Sequence, residues 1–366
     1  MNFRCDGLDL SEAIARVIKA TSTKTTSPIL EGIKLRTVGN SLILTATDCE
    51  ISIQKTIKAD VKSEGQAVVP GKLFGEYLRK LTNEQITCVL NEKNQLKVNY
   101  TDSEGFIQCM DLLEFPAPVF VEKDKSFEIS QIELKSLINK VIFAVAVDDS
   151  RPILKGCLIE VNDSKIKAVT LDGYRMAICN KNVKKSTQNF KIIVPAKTLL
   201  EVSRMLEDKE DVVKVYVTDK NVRFEIDDTV VITRLLDGDF INYRQIIQND
   251  FVTEVTLSKF QFEDALDRAS VLSKIDRNNL VKFDISERSL VLTSNSEYGN
   301  ITENINAVTK GDDLVIAFNS KYFIDCMKAI GEEFIKLNFT NSVNPCIVLP
   351  VQGDEFLYLI LPVRLN

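Results

Sequence analysis

The peptide SPILEGIKL, residues 27–35, returns 124 residues later as RPILKGCLI, residues 151–159. The similarity extends beyond it, because VVPGKLFGEYLRKL at 68–81 matches IVPAKTLLEVSRML at 193–206, and a fainter third copy, AFNSKYFIDCMKAI, lies at 317–330. Self-similarity at a fixed period indicates a repeat architecture, and it has to be recognised before a fold is assigned. Three copies of one domain therefore account for all 366 residues.

A second group of segments repeats with the same spacing. It comprises LTATDCEISI at 44–53, AVTLDGYRMAI at 168–178 and LTSNSEYGNI at 292–301. This alignment places Asp48 over Asp172, while Lys72, Lys197 and Lys321 share one position in the other repeated segment. We therefore predict domains at 1–122, 126–246 and 248–366.

Each copy reads as a short strand, an amphipathic helix, several alternating strands, a second helix and more strands. In the first copy Leu10, Ala13, Ile14 and Val17 recur with the spacing of one helical face, and Ser11 is a plausible N-cap. The predicted helices span about 11–20, 71–81, 130–142, 196–207, 258–274 and 320–332. The expected fold class is α+β, with two helices packed on antiparallel sheets in each domain.

Composition narrows the function. The chain is 45% hydrophobic and 27% charged and carries no visible signal peptide, which is typical of a soluble globular protein, and we expect a cytoplasmic one. It contains no histidine, the commonest general base and metal ligand, so an enzyme is less favoured. None of its eight cysteines forms a CxxC pair, so reduced core thiols are favoured over disulfides or a zinc site.

The net charge of −6, taken alone, argues against nucleic-acid binding, but the distribution of charge along the chain must also be considered. The six predicted helices hold 14 Lys or Arg and 10 Asp or Glu, so the remainder of the chain carries −10. Ordinary solvated helix faces are one interpretation. The alternative is a helix-lined hole of modest positive charge, which would attract phosphates weakly and without sequence preference.

The order and spacing of these segments resemble those of the bacterial sliding clamps, the beta subunits of DNA polymerase III. The resemblance runs from Met1 to Asn366 and rests on SPILEGI, TATDCEISI, VVPGKL, RPILKGCLIEV, TLDGYRMAIC, INYRQII, SKIDRNNLVKF and the tail LILPVRLN. It implies three tandem clamp-type domains that form half of a ring. Two chains would close head to tail around duplex DNA, with helices lining the hole. The implied role is a processivity factor without catalysis or cofactor.

The resemblance also implies functional residues. DNA-facing positions would be Arg16, Lys19, Lys24, Lys72, Arg79, Lys140, Arg151, Lys197, Arg204, Arg268 and Lys321. The dimer would pair the strand at 105–112 with the strand at 299–307 and be sealed by Phe106, Ile107, Val271 and Leu272, although domain core is an equal interpretation for these four residues.

A peptide pocket between the second and third domains would receive the polymerase alpha subunit, the clamp loader and other clamp-motif proteins. It would comprise Leu154, Leu171, Gly173, Tyr174, Arg175, Met176, Ile241, Tyr243, Ile246, Asn319, Tyr322, Cys346, Leu359, Ile360, Leu361, Pro362, Val363 and Arg364. Aliphatic side chains would form its floor, and Arg175 and Arg364 would offer donors to an extended peptide. For each position taken alone, ordinary core or turn is the better interpretation.

Two other functions remain open. One is an enzyme that uses carboxylates or a thiol, although no Gly-rich phosphate loop or G-x-S-x-G elbow supports it. The other is a clamp-like adaptor that binds peptides but not DNA. Charge reversal of Lys24, Lys72 and Lys197 would separate the adaptor from a clamp, because only a clamp would lose loading on DNA.

Overall fold

The computed structural model describes residues 1–22, 25–117, 125–148, 150–275 and 279–364. One series of elements occurs in it three times, as the repeats predict. The first repeat contains β1 (Asn2–Asp6), α1 (Gly7–Val17), β2 (Gly32–Val38), β3 (Ser41–Thr47), β4 (Ile51–Lys58), β5 (Asp60–Ser63), β6 (Gly65–Pro70), α2 (Gly71–Leu78), β7 (Gln85–Leu90), β8 (Gln95–Tyr100) and β9 (Ser103–Gln108).

The other two repeats keep this order, except that the third has one long strand, β22, where each of the first two has two consecutive strands. The second contains β10 (Lys125–Ser130), α3 (Gln131–Asn139), β11 (Gly156–Asn162), β12 (Lys165–Leu171), β13 (Arg175–Asn182), β14 (Lys185–Ser186), β15 (Phe190–Pro195), α4 (Ala196–Met205), β16 (Val212–Val217), β17 (Asn221–Ile226) and β18 (Thr229–Arg234). The third contains β19 (Thr253–Ser258), α5 (Lys259–Ser273), β20 (Leu280–Ser286), β21 (Ser289–Ser296), β22 (Gly299–Lys310), β23 (Leu314–Asn319), α6 (Ser320–Ala329), β24 (Phe334–Phe339), β25 (Cys346–Pro350) and β26 (Phe356–Ile360).

The repeated PIL-x-G peptide has the same structure in both copies. A single 3-10 turn that begins at a proline leads directly into β2 or β11. Gly32 and Gly156 then lie against the neighbouring strand, where an added Cβ would approach within 2.5 Å of Val68 Cγ1 and Ile193 Cγ2 respectively. Only glycine permits this close approach without a shift of the neighbour. The peptide therefore marks the start of the first strand after helix α1 and after helix α3, namely β2 and β11.

The second repeated segment forms an equivalent turn in all three copies. The side chain of Asp48 accepts hydrogen bonds from the backbone amides two and three residues later, at 3.0 and 2.8 Å. Asp172 does the same at 2.9 and 3.0 Å, and Ser296 accepts from the amide two residues later at 3.2 Å. The next residue has a positive φ in the first two copies, 73° at Cys49 and 94° at Gly173. The sequence alignment is thus also a structural one.

The chain forms two compact units. Unit 1 comprises Met1–Gln131 and Glu201–Leu235, and unit 2 comprises Ile132–Leu200 and Leu236–Asn366, so the second repeat contributes to both. Within unit 1 one sheet has the order β5-β1-β7-β8-β9, and eight strands form a second with the order β10-β16-β17-β18-β4-β3-β2-β6. The paired strands in both sheets are antiparallel.

Unit 2 contains a sheet of twelve strands in the order β15-β11-β12-β13-β26-β25-β24-β19-β22-β21-β20-β23. Helices α5 and α6 pack on the third repeat, where Phe262, Phe283, Phe318 and Phe323 form a fully buried aromatic core. Their ring centroids lie 5.0–5.8 Å apart in tilted or edge-to-face pairs. None of the helices in the described part of the chain has the length and apolar character needed to cross a bilayer.

Helix α1 begins four residues earlier than the sequence prediction. Its N-cap is Asp6, whose side chain accepts from the amides of Leu8 and Asp9 at 2.8 and 3.3 Å. The predicted cap, Ser11, is a buried interior residue of this helix. The prediction was wrong because an aspartate within β1 supplies the cap, and the apolar period alone does not show how far the helix extends toward it.

The cysteines divide into seven buried thiols and one exposed thiol, at Cys49, and all eight are free. Burial raises the pKa of each buried thiol, and that of Cys157 to about 12. These seven side chains therefore stay protonated at neutral pH and pack as small apolar groups.

Candidate partner-binding and nucleic-acid surfaces

An apolar cluster covers one face of the unit 2 sheet. Its buried members are Ala146, Leu154, Leu158, Val169, Leu171, Met176, Ile178, Ile193, Tyr243, Ile347 and Leu359. Val169 and Leu171 alternate along β12 with residues of the opposite face, where the Thr170 hydroxyl donates to the Val141 carbonyl at 2.5 Å. The segment 236–251, between the second and third repeats, packs on this cluster through Leu236, Phe240, Ile241, Ile247 and Phe251.

Tyr243 fixes that segment to the sheet. Its ring is 2% exposed, and its hydroxyl donates to Glu160 Oε2 on β11 at 2.7 Å. The same oxygen accepts from Arg244 Nη2 at 2.7 Å, and the Arg244 guanidinium lies 4.9 Å from the centre of the Tyr243 ring. Burial and the adjacent Glu160 carboxylate raise the pKa of Tyr243. Glu160 thus holds the part of the segment that carries Ile241 and Ile246.

Arg175 has a different role from the predicted one. Its Nε donates to Asp172 Oδ2 at 3.0 Å, its Nη1 to Asp325 Oδ2 at 2.7 Å and its Nη2 to the Phe143 carbonyl at 2.7 Å. Only 9% of its side chain is exposed. The prediction that Arg175 offers donors to a peptide was therefore wrong, because folding already uses the guanidinium. Its cation instead lies 4.8 Å from the centre of the Tyr322 ring, within the range of a cation–π contact.

The partly exposed edge of the cluster, here called the partner site, is aromatic and apolar. The Tyr174 and Tyr322 rings stack with centroids 6.0 Å apart. The chain after β26 runs beside them, since the Leu361 amide donates to the Tyr174 carbonyl at 2.9 Å and the Val363 amide to the Ala317 carbonyl at 2.8 Å. Leu361 and Val363 remain 36% and 38% exposed and Tyr174 61%. Large apolar groups are therefore held at the surface by backbone hydrogen bonds.

The predicted pocket residues divide by depth. Eight are buried, namely Leu154, Leu171, Arg175, Met176, Tyr243, Cys346, Leu359 and Ile360. Ile241, Asn319, Tyr322 and Pro362 are half-buried, and Gly173, Tyr174, Ile246, Leu361, Val363 and Arg364 are exposed. Cys346 and Ile360 have no exposed surface, so they can support the site but cannot contact a peptide. The Asn319 side chain caps α6 by accepting from the Lys321 amide at 3.0 Å.

The sequence prediction missed the residues that hold the site together. Asp325 and the Phe143 carbonyl bind Arg175, and no pattern in the sequence marks either one. Glu160 had a usable signal, because it is a carboxylate inside GCLIEVN, a strand whose other residues up to Val161 are buried and uncharged. A buried acid in such a strand requires a partner, and the partner supplies a contact.

The predicted excess of positive charge on the helices was wrong. The six helices as observed contain nine Lys or Arg and nine Asp or Glu. Five of the cations counted in the broader predicted windows lie just beyond helix C-termini, at Lys19, Arg79, Lys80, Lys140 and Lys274. That location has a general electrostatic cause, because the C-terminal end of a helix carries partial negative charge that stabilises cations.

Lys140 is wrongly placed among the DNA-facing residues. It is 8% exposed, and its Nζ pairs with Glu332 and Glu355 at 3.0 and 3.2 Å while lying 5.0 Å from the centre of the Phe356 ring. Its charge is therefore neutralised inside unit 2. Arg268, which is exposed, forms a two-pronged ion pair with Glu303, at 2.9 and 2.7 Å.

The other predicted DNA-facing residues are at the surface. Lys19, Lys72, Arg79, Arg151, Lys197, Arg204 and Lys321 are exposed, and Arg16 is half-buried. Arg204 pairs with Glu201 in the same helix, and Lys24 lies outside the described residues. The exposed positions are compatible with contact to a polyanion but do not by themselves identify one.

The four predicted interface residues differ in exposure. Phe106 is 53% and Val271 61% exposed, whereas Ile107 is 7% exposed and Leu272 is half-buried. Phe106 lies on β9, the last strand of its sheet, and the Lys97 ammonium lies 5.6 Å from the centre of its ring. An exposed phenylalanine on a sheet edge is a typical feature of a surface that becomes covered.

Comparison with known proteins agrees with this architecture. Family models of the DNA polymerase III beta subunit match along the chain: the N-terminal domain at residues 1–118, the central domain at 128–242 and the C-terminal domain at 244–364. The beta sliding clamp of Staphylococcus epidermidis is 30% identical over 357 residues, 95% of each chain.

Solved structures agree over the full length. The DNA polymerase sliding clamp of Bacillus subtilis superimposes with a TM-score of 0.97 at 29% identity, and a putative DNA polymerase III beta subunit of Eubacterium rectale with 0.95 at 31% identity, each covering 100% of both chains. Because these family models match all three repeats and the similarity extends along nearly the whole chain, the chain belongs to the DNA polymerase III beta-subunit family, the sliding clamps of DNA replication.

Proposed function

We propose that this sliding clamp works as a head-to-tail homodimer that encircles duplex DNA and tethers the replicative polymerase, the clamp loader and other DNA-processing proteins. The observation that supports it most directly is the way strands of successive repeats pair. In unit 1, β4 of the first repeat pairs with β18 of the second, with Ile51 opposite Thr233. In unit 2, β13 of the second pairs with β26 of the third, with Arg175 opposite Ile360.

Two strands that correspond to these have no such partner from another repeat within the described part of the chain. Strand β9 corresponds to β18 and β26, and strand β22 corresponds to β4 and β13. In the described part of the chain β9 ends its sheet, and residues 299–306 of β22 pair with β21 on one side only. Unpaired edges are templates for pairing with another chain. A β22 edge that joins the β9 edge of a second copy repeats the joint already present twice within the chain.

The repeats also predict the register of that joint. Ile51 corresponds to Gly299, because the turns at Asp48 and Ser296 align, and Thr233 corresponds to Ile107 through the β8–β9 and β17–β18 hairpins. Gly299 would then lie opposite Ile107, and Thr302 opposite Glu104. Two such joints related by a twofold axis close a ring, whereas a heterologous contact of another rotation would give an open filament.

DNA binding is proposed through exposed cations such as Lys19, Lys72, Arg151 and Lys321. The chain as a whole is acidic, with a net charge of −6. Contact with phosphates would therefore be weak and independent of sequence. The electrostatic attraction between the cations and the phosphates would be screened over roughly 8 Å at physiological salt. Retention on DNA would come from ring closure, which is what a processivity factor needs.

Partner proteins are proposed to bind at the partner site. Exposed Tyr174, Leu361 and Val363 can contact apolar side chains of an extended peptide over the buried floor. A non-catalytic role fits the buried thiols, whose raised pKa values leave no activated nucleophile among those seven. The adaptor alternative lacks DNA binding and is tested by the experiment below.

The strand register can be tested by disulfide trapping. In a Cys49→Ser background, Glu104→Cys combined with Thr302→Cys should give a covalent dimer of twice 41.2 kDa under mild oxidation, because opposed residues bring their Cβ atoms within disulfide range. The matched control combines Glu104→Cys with Glu303→Cys instead of Thr302→Cys, because residue 303 points to the other face of the strand. Equal crosslinking of both pairs, or none of the intended pair, would refute the register.

Encirclement is tested separately with plasmid DNA. Clamp assembled on a nicked circular plasmid by a clamp loader should stay bound through gel filtration and should leave when one restriction cut linearises the plasmid. Retention on the linear form would indicate ordinary binding rather than a topological link. Absence from the circle, with partner binding intact, would favour the adaptor.

A further inference from the structure

We infer that unit 2 carries a second contact area beside the partner site, a basic surface that binds an acidic segment of the partner protein. The surface, here called the lysine patch, consists of Lys165 and Lys167 on β12 and Lys191 on β15. The inference rests on the proposed function of the partner site, and it adds a chemical preference that the apolar site alone does not provide.

Strand register places the three lysines on one face. Lys167 and Lys191 lie opposite Glu160 from the two sides of β11, and Lys165 lies two residues before Lys167 on the same strand. Directly paired residues share a face with Cβ atoms about 5 Å apart, and alternate residues of a strand share a face as well. Lys165 and Lys191 are exposed and Lys167 is half-buried.

The one carboxylate in this row is already engaged. Glu160 Oε2 accepts from the Tyr243 hydroxyl and from Arg244, each at 2.7 Å, and the Glu160 side chain is only 10% exposed. None of the three lysines forms an ion pair with any residue that the structure describes. The surface therefore presents three cations whose nearest acid on the sheet is neutralised by the segment that builds the partner site.

Lysines in this row are peculiar to the second repeat, although the first repeat has one cation there, Arg36. The same row in the other repeats carries no lysine: its members are Gln66, Arg36 and Ile43 in the first, and Val315, Asp284 and Val291 in the third. Because the strand frame is common to all three repeats, the fold does not require lysine at these positions. The patch occurs only in the repeat whose sheet face carries the partner site.

Position favours a peptide over nucleic acid as the occupant. Leu171, Val169, Lys167 and Lys165 follow one another on the same face of β12, so the patch begins about 14 Å from Leu171 at roughly 3.4 Å per residue. An extended chain anchored at the partner site reaches it in roughly four residues. The opposite face of β12 is the one that bonds, through Thr170, to Val141, two residues beyond the end of α3, and helices are the elements proposed to face DNA.

The test compares two anionic probes on two variants of the full-length protein. The probes are fluorescein-labelled octaglutamate and a fluorescein-labelled (dT)8 oligonucleotide, measured by anisotropy at 50 and 300 mM NaCl. The patch variant carries Lys165→Glu, Lys167→Glu and Lys191→Glu. The charge-matched control carries Lys58→Glu, Lys62→Glu and Lys93→Glu, three exposed lysines of unit 1.

Octaglutamate should bind the wild type and the control equally, and the patch variant roughly ten-fold more weakly, with the difference shrinking at high salt. Equal loss in both variants, or none in either, would overturn the inference. Preferential binding of (dT)8 that depends on the patch would show a nucleic-acid surface instead. Plasmid retention should be normal in the patch variant, so a negative result with octaglutamate would not count against the ring proposal. Loss of plasmid retention in the wild type would count against the ring alone.

Discussion

Replacing Arg175 by methionine tests whether the partner site depends on an internal ion cluster. The change keeps much of the side-chain volume but removes three hydrogen bonds, to Asp172, Asp325 and the Phe143 carbonyl. Burial alone would lower the pKa of Arg175, but the bonds and charges of the two aspartates raise it above its ordinary value. The guanidinium is therefore firmly charged in the folded protein, and its loss leaves two carboxylates without their cation.

The magnitude follows from exposure. Breaking a buried ion pair from one side destabilises a protein by about 3–5 kcal/mol. The side chains of Asp172 and Asp325 are 15% and 27% exposed, so water partly compensates and we expect the lower end of that range. Loss of the contact between Arg175 and the Tyr322 ring, at 4.8 Å, should add about 0.5–1 kcal/mol. The total expected loss in the free energy of unfolding is thus about 3–4 kcal/mol.

Urea unfolding followed by circular dichroism measures this loss as a shift of the midpoint at unchanged slope. The control is Lys282→Met, because Lys282 and its partner Asp284 both lie at the surface, 41% and 49% exposed; it should lose less than about 1 kcal/mol. Adding Asp325→Asn to Arg175→Met should restore part of the stability, since it removes one of the stranded charges. A loss below about 1 kcal/mol for Arg175→Met, or no recovery in the double variant, would contradict the reasoning.

Two further predictions concern acid stability and the tail. Burial would raise the pKa of Glu355, but its hydrogen bond with Lys181 and the charge of Lys140 lower it below the ordinary value. The interactions of the charged Glu355 carboxylate with these two lysines therefore stabilise the protein above about pH 4.5. This stability fades as the pH falls through the lowered pKa of Glu355. Glu355→Gln should flatten that acid limb in urea unfolding measured between pH 6 and 3, and an unchanged limb would show that other carboxylates cause it. Deletion of residues 362–366 should abolish stimulation of the polymerase, because it removes part of the partner site, and should leave the crosslinked dimer unchanged; retained stimulation would place partner binding elsewhere.

Repetition made much of this fold predictable from sequence. Two aligned copies of a segment share their turns as well as their strands, and the predicted alignment of Asp48 with Asp172 is confirmed by the equivalent turns that the two residues form. Helix limits were less predictable, because α1 is capped by Asp6 from within β1. The apolar period contains no information about such a cap, and the same error, repeated at helix C-termini, produced the false excess of helical charge.

The floor of the partner site was predictable as apolar strand residues, but its polar supports were not. Arg175 bonds with Asp325, 150 residues away, and Glu160 with Tyr243, 83 residues away. Such contacts depend on how distant strands are aligned, which the sequence of one chain does not specify locally. Lys140 shows the same limitation, since only the folded structure places Glu332 and Glu355 beside it.

The strand joints between repeats have a consequence for how the clamp opens. Those between β4 and β18 and between β13 and β26 link parts of one polypeptide, so a separated pair meets again at a high effective concentration, of the order of millimolar for short linkers. The proposed joint between β22 and β9 has similar backbone bonding but no covalent tether. Of these joints it is accordingly the one whose stability depends on protein concentration. A clamp loader that separates β22 from β9 need not deform a specialised hinge.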